Sequence, residues 1–194
     1  MKLNNNYFLL RHGEALSNVK DIVSCWPEKF LNPLTDGGVA KIQNVAKDLK
    51  NKNIEIIFAS PLLRTQQTAK IVAEASGLEV KTDKRLRELE FSIFNGGPAK
   101  KFMEYFKSKE ERISKSVPGG ENYSDVLKRV LDFFVEINKK YKGKNIFIVS
   151  HQAPLLLLLG EINGNSISES VDGIINAQGE RKIITGQLVE INPK

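Results

Sequence analysis

One cysteine, Cys25, stands in a chain of 194 residues. A single thiol excludes an internal disulfide framework and any multi-cysteine zinc or iron–sulfur site, and it fits a reducing compartment. Histidine is nearly as scarce. His12 and His151 are the only two, and neither belongs to a paired-ligand spacing, so no metal centre is expected. Long apolar runs are missing as well. The longest, Leu155–Leu159, falls far short of the ~20 residues a membrane span needs. Tyr7–Leu10, behind a polar start, is too short for a signal-peptide core. No P-loop or dinucleotide fingerprint follows a strand. No basic block interleaved with aromatics offers a nucleic-acid surface. The expectation is a cytoplasmic protein with neither a nucleic-acid nor a membrane partner; nothing sets its oligomeric state.

What is present is an ordinary globular mixture, 41% hydrophobic and 27% charged. Its 29 Lys+Arg against 23 Asp+Glu leave a net charge of +6, a weak bias toward anionic partners. Apolar runs predict buried strands at Tyr7–Leu10, Ile54–Ala59 and Ile146–Val149. Leu78–Lys81 and Arg85–Phe91 read as short extended segments, and Gly173–Asn176 and Lys182–Ile191 as final strands. Between them the 3.6-residue period marks helices. Thr35-Asp36 caps one from Gly37 to Leu49, with Gly37-Gly38 weakening its first turn. Ser60-Pro61 starts a second that Gly77 stops. A helix is expected near Pro98–Arg112, another from the cap Asn122 to Tyr141, and a buried one at Pro154–Glu161. Strands alternating with helices predict an α/β fold, three-layer α/β/α with a mainly parallel central sheet. One domain over residues 1–194 is expected, with residues 92–121 as an inserted cap or lid.

Both histidines follow a buried strand, in Leu9-Leu10-Arg11-His12-Gly13-Glu14 and Ile148-Val149-Ser150-His151. Parallel sheets bind ligands beyond the carboxyl ends of their strands, so both imidazoles face one edge. Arg64, in the first turn of the helix after Ile54–Ala59, faces the same edge, where a helix N-terminus favours anions. Arg11, Arg64 and the two imidazoles form a candidate oxyanion site. Three carboxylates, Glu14, Glu88 and Glu90, are candidate proton donors. Trp26, Phe94, Phe102 and Tyr105 serve equally well as pocket walls or as packing.

At this point the residues resemble a family. Leu10-Arg11-His12-Gly13-Glu14 with Asn18 is similar to the Arg-His-Gly signature of the histidine phosphatase superfamily, in its phosphoglycerate mutase-like branch. Pro33-Leu34-Thr35-Asp36-x-Gly38, Ser60-x-x-x-Arg64-x-x-x-Thr68-Ala69, Leu86-Arg87-Glu88-x-x-Phe91, Pro118-Gly119-Gly120-Glu121 and Val149-Ser150-His151 follow in that family's order. The chain departs where the family often has glycine, at Cys25, Ser92 and Gln152. These positions bear on backbone turns and the pocket rim, and so on the choice of substrate.

The resemblance implies a phosphoglycerate mutase-like fold and a metal-independent phosphomonoesterase without a cofactor, acting on a small phosphorylated substrate. His12 would be the nucleophile, forming phosphohistidine. Arg11, Arg64 and His151 would stabilise the transferring group, and Glu88 would be the general acid. Asn18, Ser24, Cys25 and Gln152 would join Arg11, Arg64 and His151 in binding substrate. The alternative implied is a mutase dependent on 2,3-bisphosphoglycerate. A phosphate-recognition module without turnover would not need the acid.

Overall fold

The computed structural model describes residues 1–172 and 183–193. Runs of Ile, Val, Leu and Phe form strands β1 (Asn6–Arg11), β2 (Ile56–Ala59), β3 (Val80–Thr82), β4 (Asn145–Ser150) and β5 (Leu188–Ile191). They form one sheet in the order β3-β2-β4-β1-β5. The first four are parallel, and β5 pairs antiparallel with β1. The helices are α1 (Leu16–Val19), α2 (Asp36–Leu49), α3 (Leu63–Ser76), α4 (Ala99–Glu104), α5 (Lys109–Ser114), α6 (Tyr123–Lys140), α7 (Gln152–Asn163) and α8 (Ile167–Asp172). The result is the expected α/β architecture.

Alternation along the strands sends neighbouring side chains to opposite faces. Tyr7 and Leu9 of β1 and Ile146 and Ile148 of β4 pack against Phe133, Phe134 and Ile137 of α6 and Leu155 of α7. Phe8, Leu10, Phe147 and Val149 pack on the other side, against Ile42 and Ala46 of α2 and Val72 of α3. Each fully buried side chain of this kind contributes about 1.5–3 kcal/mol. A third cluster lies off the sheet. Phe91, Phe102, Phe106 and Val117 meet Tyr123 and Val126 of α6 and Leu157 of α7. The segment 92–121 is therefore fastened by its own apolar contacts.

Several expectations are corrected. Ser60 does not cap α3, which starts at Leu63 with Leu62 as its N-cap residue. The Ser60 hydroxyl is instead engaged by His151. Arg85–Phe91 is not a strand; a 3₁₀ turn occupies Lys84–Leu86. The helix near Pro98–Arg112 is two short helices, because Ser108 caps α5 afresh through Glu111 N. The last strand is shortened to Leu188–Ile191, since Gly186, at φ +69°, turns the chain and donates to the Arg11 and His12 carbonyls. Gly173–Asn176 lies outside the described residues. The short helices α1 and α8 carry too few turns for a period to show.

Thr35 caps α2 as expected, accepting from Gly38 N at 2.9 Å. Gly38 does more than weaken that turn, because a Cβ there would run into the Glu14 carbonyl. Ser92 adopts φ +48°, a conformation that favours glycine. Its hydroxyl donates to the Pro118 carbonyl at 2.6 Å, which offsets that strain. Among the described residues no helix is long and apolar enough to cross a membrane.

Candidate active site

The carboxyl ends of three adjacent strands place the site. β4 lies between β1 and β2, with Arg11 in register with Ser150 and Ala59 with Val149. The residues that follow, His12, His151 and Ser60, therefore stand side by side. His12 N donates to the Ser150 carbonyl and Ser60 N to the Val149 carbonyl, both at 3.1 Å. The two imidazole centroids are 5.2 Å apart.

Partners determine each ring's tautomer. His12 Nδ1–H donates to the Gly13 carbonyl at 2.7 Å. Its Nε2 accepts from Arg64 Nε at 3.1 Å. A carbonyl only accepts and a guanidinium only donates, so His12 is a neutral ring with its lone pair on Nε2. Thr68 locks this relationship. Its hydroxyl accepts from Gly13 N at 3.1 Å and donates to the Arg64 carbonyl at 2.7 Å.

His151 is fully buried. Its Nδ1 accepts from Arg64 Nη2 at 3.1 Å, and Nε2–H donates to Ser60 Oγ at 2.8 Å. Burial, followed by the charge of Arg64, holds the ring well below the ordinary histidine range, so it is neutral. Arg64 is 3% exposed. Burial pushes its guanidinium down to about 10, opposed by the charges of Glu88 and Glu28, and it stays protonated at neutral pH. Beyond the two histidines it donates to Ser24 Oγ, the Ser24 carbonyl and Glu28 Oε1. Glu28 also accepts from Leu63 N at 2.9 Å, occupying the α3 N-terminus expected to help hold an anion.

Arg11 is buried beside them and donates through Nη1 to the Ile183 carbonyl at 2.7 Å. Asn18 Oδ1 accepts from Ala15 N, which directs the amide NH₂ elsewhere. Glu88, half-buried, accepts from its neighbour Leu89 N at 2.9 Å. The chain carrying Glu88 is irregular, so other groups hold it. Arg129 of α6 donates to the carbonyls of Arg85, Arg87 and Glu88 and pairs with Glu121. Glu121 in turn accepts from Glu90 N at 3.1 Å.

Arg11, His12, Asn18, Ser24, Arg64, Glu88 and Gln152 line one pocket. Two other candidates stand behind its wall. His151 reaches the site through Arg64. Cys25 is buried with its Sγ donating to Glu90 Oε1 at 3.2 Å and accepting from Phe91 N at 3.3 Å, so it braces the acidic segment rather than facing a ligand. Burial pushes its thiol up to about 12. Of the other two carboxylates, Glu90 holds Cys25 and Ser92 N, and Glu14 accepts from the Thr35 hydroxyl. Phe102 is on the pocket wall, whereas Trp26, Phe94 and Tyr105 are not among its lining residues.

Glu28, Arg129 and Tyr123 were not among the sequence candidates. Glu28 sits in a loop without periodicity. Arg129 sits between core positions Val126 and Val130, and its helical spacing alone carried no sign of a site. Tyr123 opens α6, where position suggests packing. Among the described residues no cluster of three or more His, Cys, Asp or Glu could hold a metal.

A buried neutral imidazole next to Arg11 at the end of β1, with Arg64 in the first turn of α3 and a carboxylate in the same pocket, forms a site that suits an oxyanion. Residues 7–182 match the model of the histidine phosphatase superfamily (branch 1), and the chain belongs to that family. A relative in Yersinia pestis (strain Pestoides F), named "Probable phosphoglycerate mutase GpmB", is 33% identical over 169 residues, covering 81% of this chain and 74% of that protein. The solved structure of Bacillus stearothermophilus YhfR superposes with a TM-score of 0.80 at 22% identity, covering 97% of this chain and 91% of that one. The alpha-ribazole phosphatase of Shigella flexneri does so at 0.73 and 27% identity, covering 86% and 83%.

Proposed function

We propose that this protein is a metal-independent phosphomonoesterase working through phosphohistidine on His12. The observation that carries the reading is the direction of the His12 lone pair. Nδ1–H is held by the Gly13 carbonyl, leaving Nε2 as the nucleophile. His12 Nε2 bonds to phosphorus as the ester oxygen leaves and takes a proton from Glu88. Water then attacks phosphorus, gives a proton to Glu88, and the N–P bond breaks to release inorganic phosphate. Arg11 and Arg64 stabilise charge on the non-bridging oxygens. Asn18 adds an uncharged donor, and Ser24 and Gln152 border the bound group. His151 supports Arg64. Residues 92–121 act as the cap over one side of the pocket.

The test is phosphate release from an aryl phosphate with EDTA present, together with acid quenching to trap an acid-labile, base-stable phosphoenzyme. Turnover and label both disappear in His12→Ala. Equal turnover in that variant, or none across a panel of phosphomonoesters, overturns the reading.

A second reading, mutase activity dependent on 2,3-bisphosphoglycerate, is favoured by the name of the Yersinia relative. Interconversion of 2- and 3-phosphoglycerate that is stimulated by the bisphosphate and outpaces phosphate release would establish it. The alpha-ribazole phosphatase likeness supports hydrolysis.

A further inference from the structure

The pocket has two ends of opposite chemistry. Its phosphoryl end carries Arg11 and Arg64, the only lysine or arginine side chains among its described lining residues. The other end is built from Val23, Phe91, Ala99, Phe102, Met103 and Tyr123. This wall is firm. Phe102 meets Phe91 edge-on at 4.8 Å and Phe106 at 5.3 Å, inside the cluster that fastens α4 to α6. Behind this wall Arg112 donates through Nη1 to Met103 Sδ at 3.6 Å.

Tyr123 adds a specific polar point on this wall. It is 4% exposed, and its hydroxyl has no hydrogen-bond partner among the described residues. A phenol this deeply placed ordinarily bonds something. Neighbouring lining residues Val23, Phe91 and Phe102 offer no side-chain acceptor, and the Glu88 carboxylate in the same pocket accepts from Leu89 N and makes no hydrogen bond to Tyr123, so a ligand in the pocket is the natural supplier.

We propose, resting on the phosphatase reading, that the pocket selects monophosphate esters of alcohols with an apolar body and one hydrogen-bond acceptor, the acceptor meeting the Tyr123 hydroxyl. Tyr123 is thus a specificity-determining residue.

The experiment compares 3-phenylpropyl phosphate with ethyl phosphate. Both release primary alcohols of similar acidity, so their ratio reports the pocket and not the chemistry. The expected kcat/KM for 3-phenylpropyl phosphate exceeds that for ethyl phosphate by about 10- to 100-fold, the worth of one buried ring. Met103→Glu compresses this ratio. At pH 8, at least one of the 3-(2-, 3- or 4-pyridyl)propyl phosphates outperforms its phenyl counterpart, and Tyr123→Phe cuts that advantage about fivefold.

Direct binding of 4-phenylbutylphosphonate and ethylphosphonate, measured by calorimetry, separates the two ideas. Absent turnover with the apolar phosphonate bound more tightly sinks the phosphatase reading and keeps the substrate class. Turnover without an apolar preference sinks the class alone. An unchanged pyridyl-to-phenyl ratio for every isomer in Tyr123→Phe removes Tyr123 from it.

Discussion

Arg64 Nε donates to His12 Nε2 at 3.1 Å, so the lone pair that would attack phosphorus is covered by the same guanidinium that would bind the phosphoryl group. Arg64 has five N–H donors, and each has an acceptor, on His12, His151, Ser24 or Glu28. An entering phosphate must take some of these donors for itself. Doing so uncovers Nε2 and polarises phosphorus in one exchange. The buried donors stay satisfied before and after, which avoids the cost of an unpaired charge.

Arg64→Lys is expected to fail as a replacement. Lysine brings a point charge and cannot serve a planar set of acceptors. A drop in kcat/KM of about 10²–10³-fold on an aryl phosphate is expected, the cost of one lost donor to the transition state. Activity within tenfold of the parent would show that charge alone suffices.

Glu28→Gln keeps an acceptor for Leu63 N but removes the charge that competes for Arg64. Inorganic phosphate should then inhibit about two- to fivefold more tightly, the worth of a partly exposed charge pair. Weaker inhibition would mean that Glu28 holds Arg64 in its working position and does not oppose the anion.

Arg129→Met removes the clamp on the Glu88 segment. Stability should fall by about 1–3 kcal/mol, because the carbonyls of Arg85, Arg87 and Glu88 lose their donor while Glu121 keeps Arg87 and Glu90 N as partners. At a temperature where the variant is folded, alkyl esters should lose more kcat than aryl esters, as expected when a general acid is displaced. An equal loss for both would leave Arg129 a purely structural role.

His151 links pH to stability. Its folded-state pKa lies well below its ordinary value of 6.5. Just below pH 6.5 the unfolded chain binds a proton that the native ring refuses. This contribution is therefore full above pH 6.5 and is lost as pH falls toward the native value. Chemical denaturation at pH 7.5 and 5.5 should show the decline, and His151→Asn should flatten it. An unchanged slope in the variant would assign the decline to other groups.

Cys25 should resist alkylation although it lies beside the site. With its thiol pushed up to about 12 and no exposure, iodoacetamide at pH 8 should leave the native protein unlabelled and modify it fully in denaturant. Rapid native labelling would contradict the buried Glu90 contact.

Some of this was legible in the sequence because the signal was local. Unbroken apolar runs placed β1 and β4, and the helical period placed α2 and α6. Asn122 caps α6 as expected, its side chain accepting from Asp125 N. Arg11, His12 and Arg64 could be nominated because the ends of parallel strands share one edge of a sheet. Register alone then brought His12 beside His151.

Where signals were read one residue at a time, they misled. Ser60 followed by proline has the form of a helix cap, yet its hydroxyl is claimed by an imidazole 91 positions away. Cys25 sits within a pocket-forming segment, but whether it faces the cavity or the core depends on the backbone turn, and it faces Glu90.

The sequence by itself determined the central strands β1, β2 and β4, the main helices and which side chains lie at those strand ends, since these depend on periodicity and chain neighbours. Only the tertiary structure decided which nitrogen of His12 carries the lone pair, what holds Glu88, and that Tyr123 looks into the cavity. Those are choices among hydrogen-bond partners distant along the chain, and no local pattern encodes which donor reaches which acceptor once the sheet has closed.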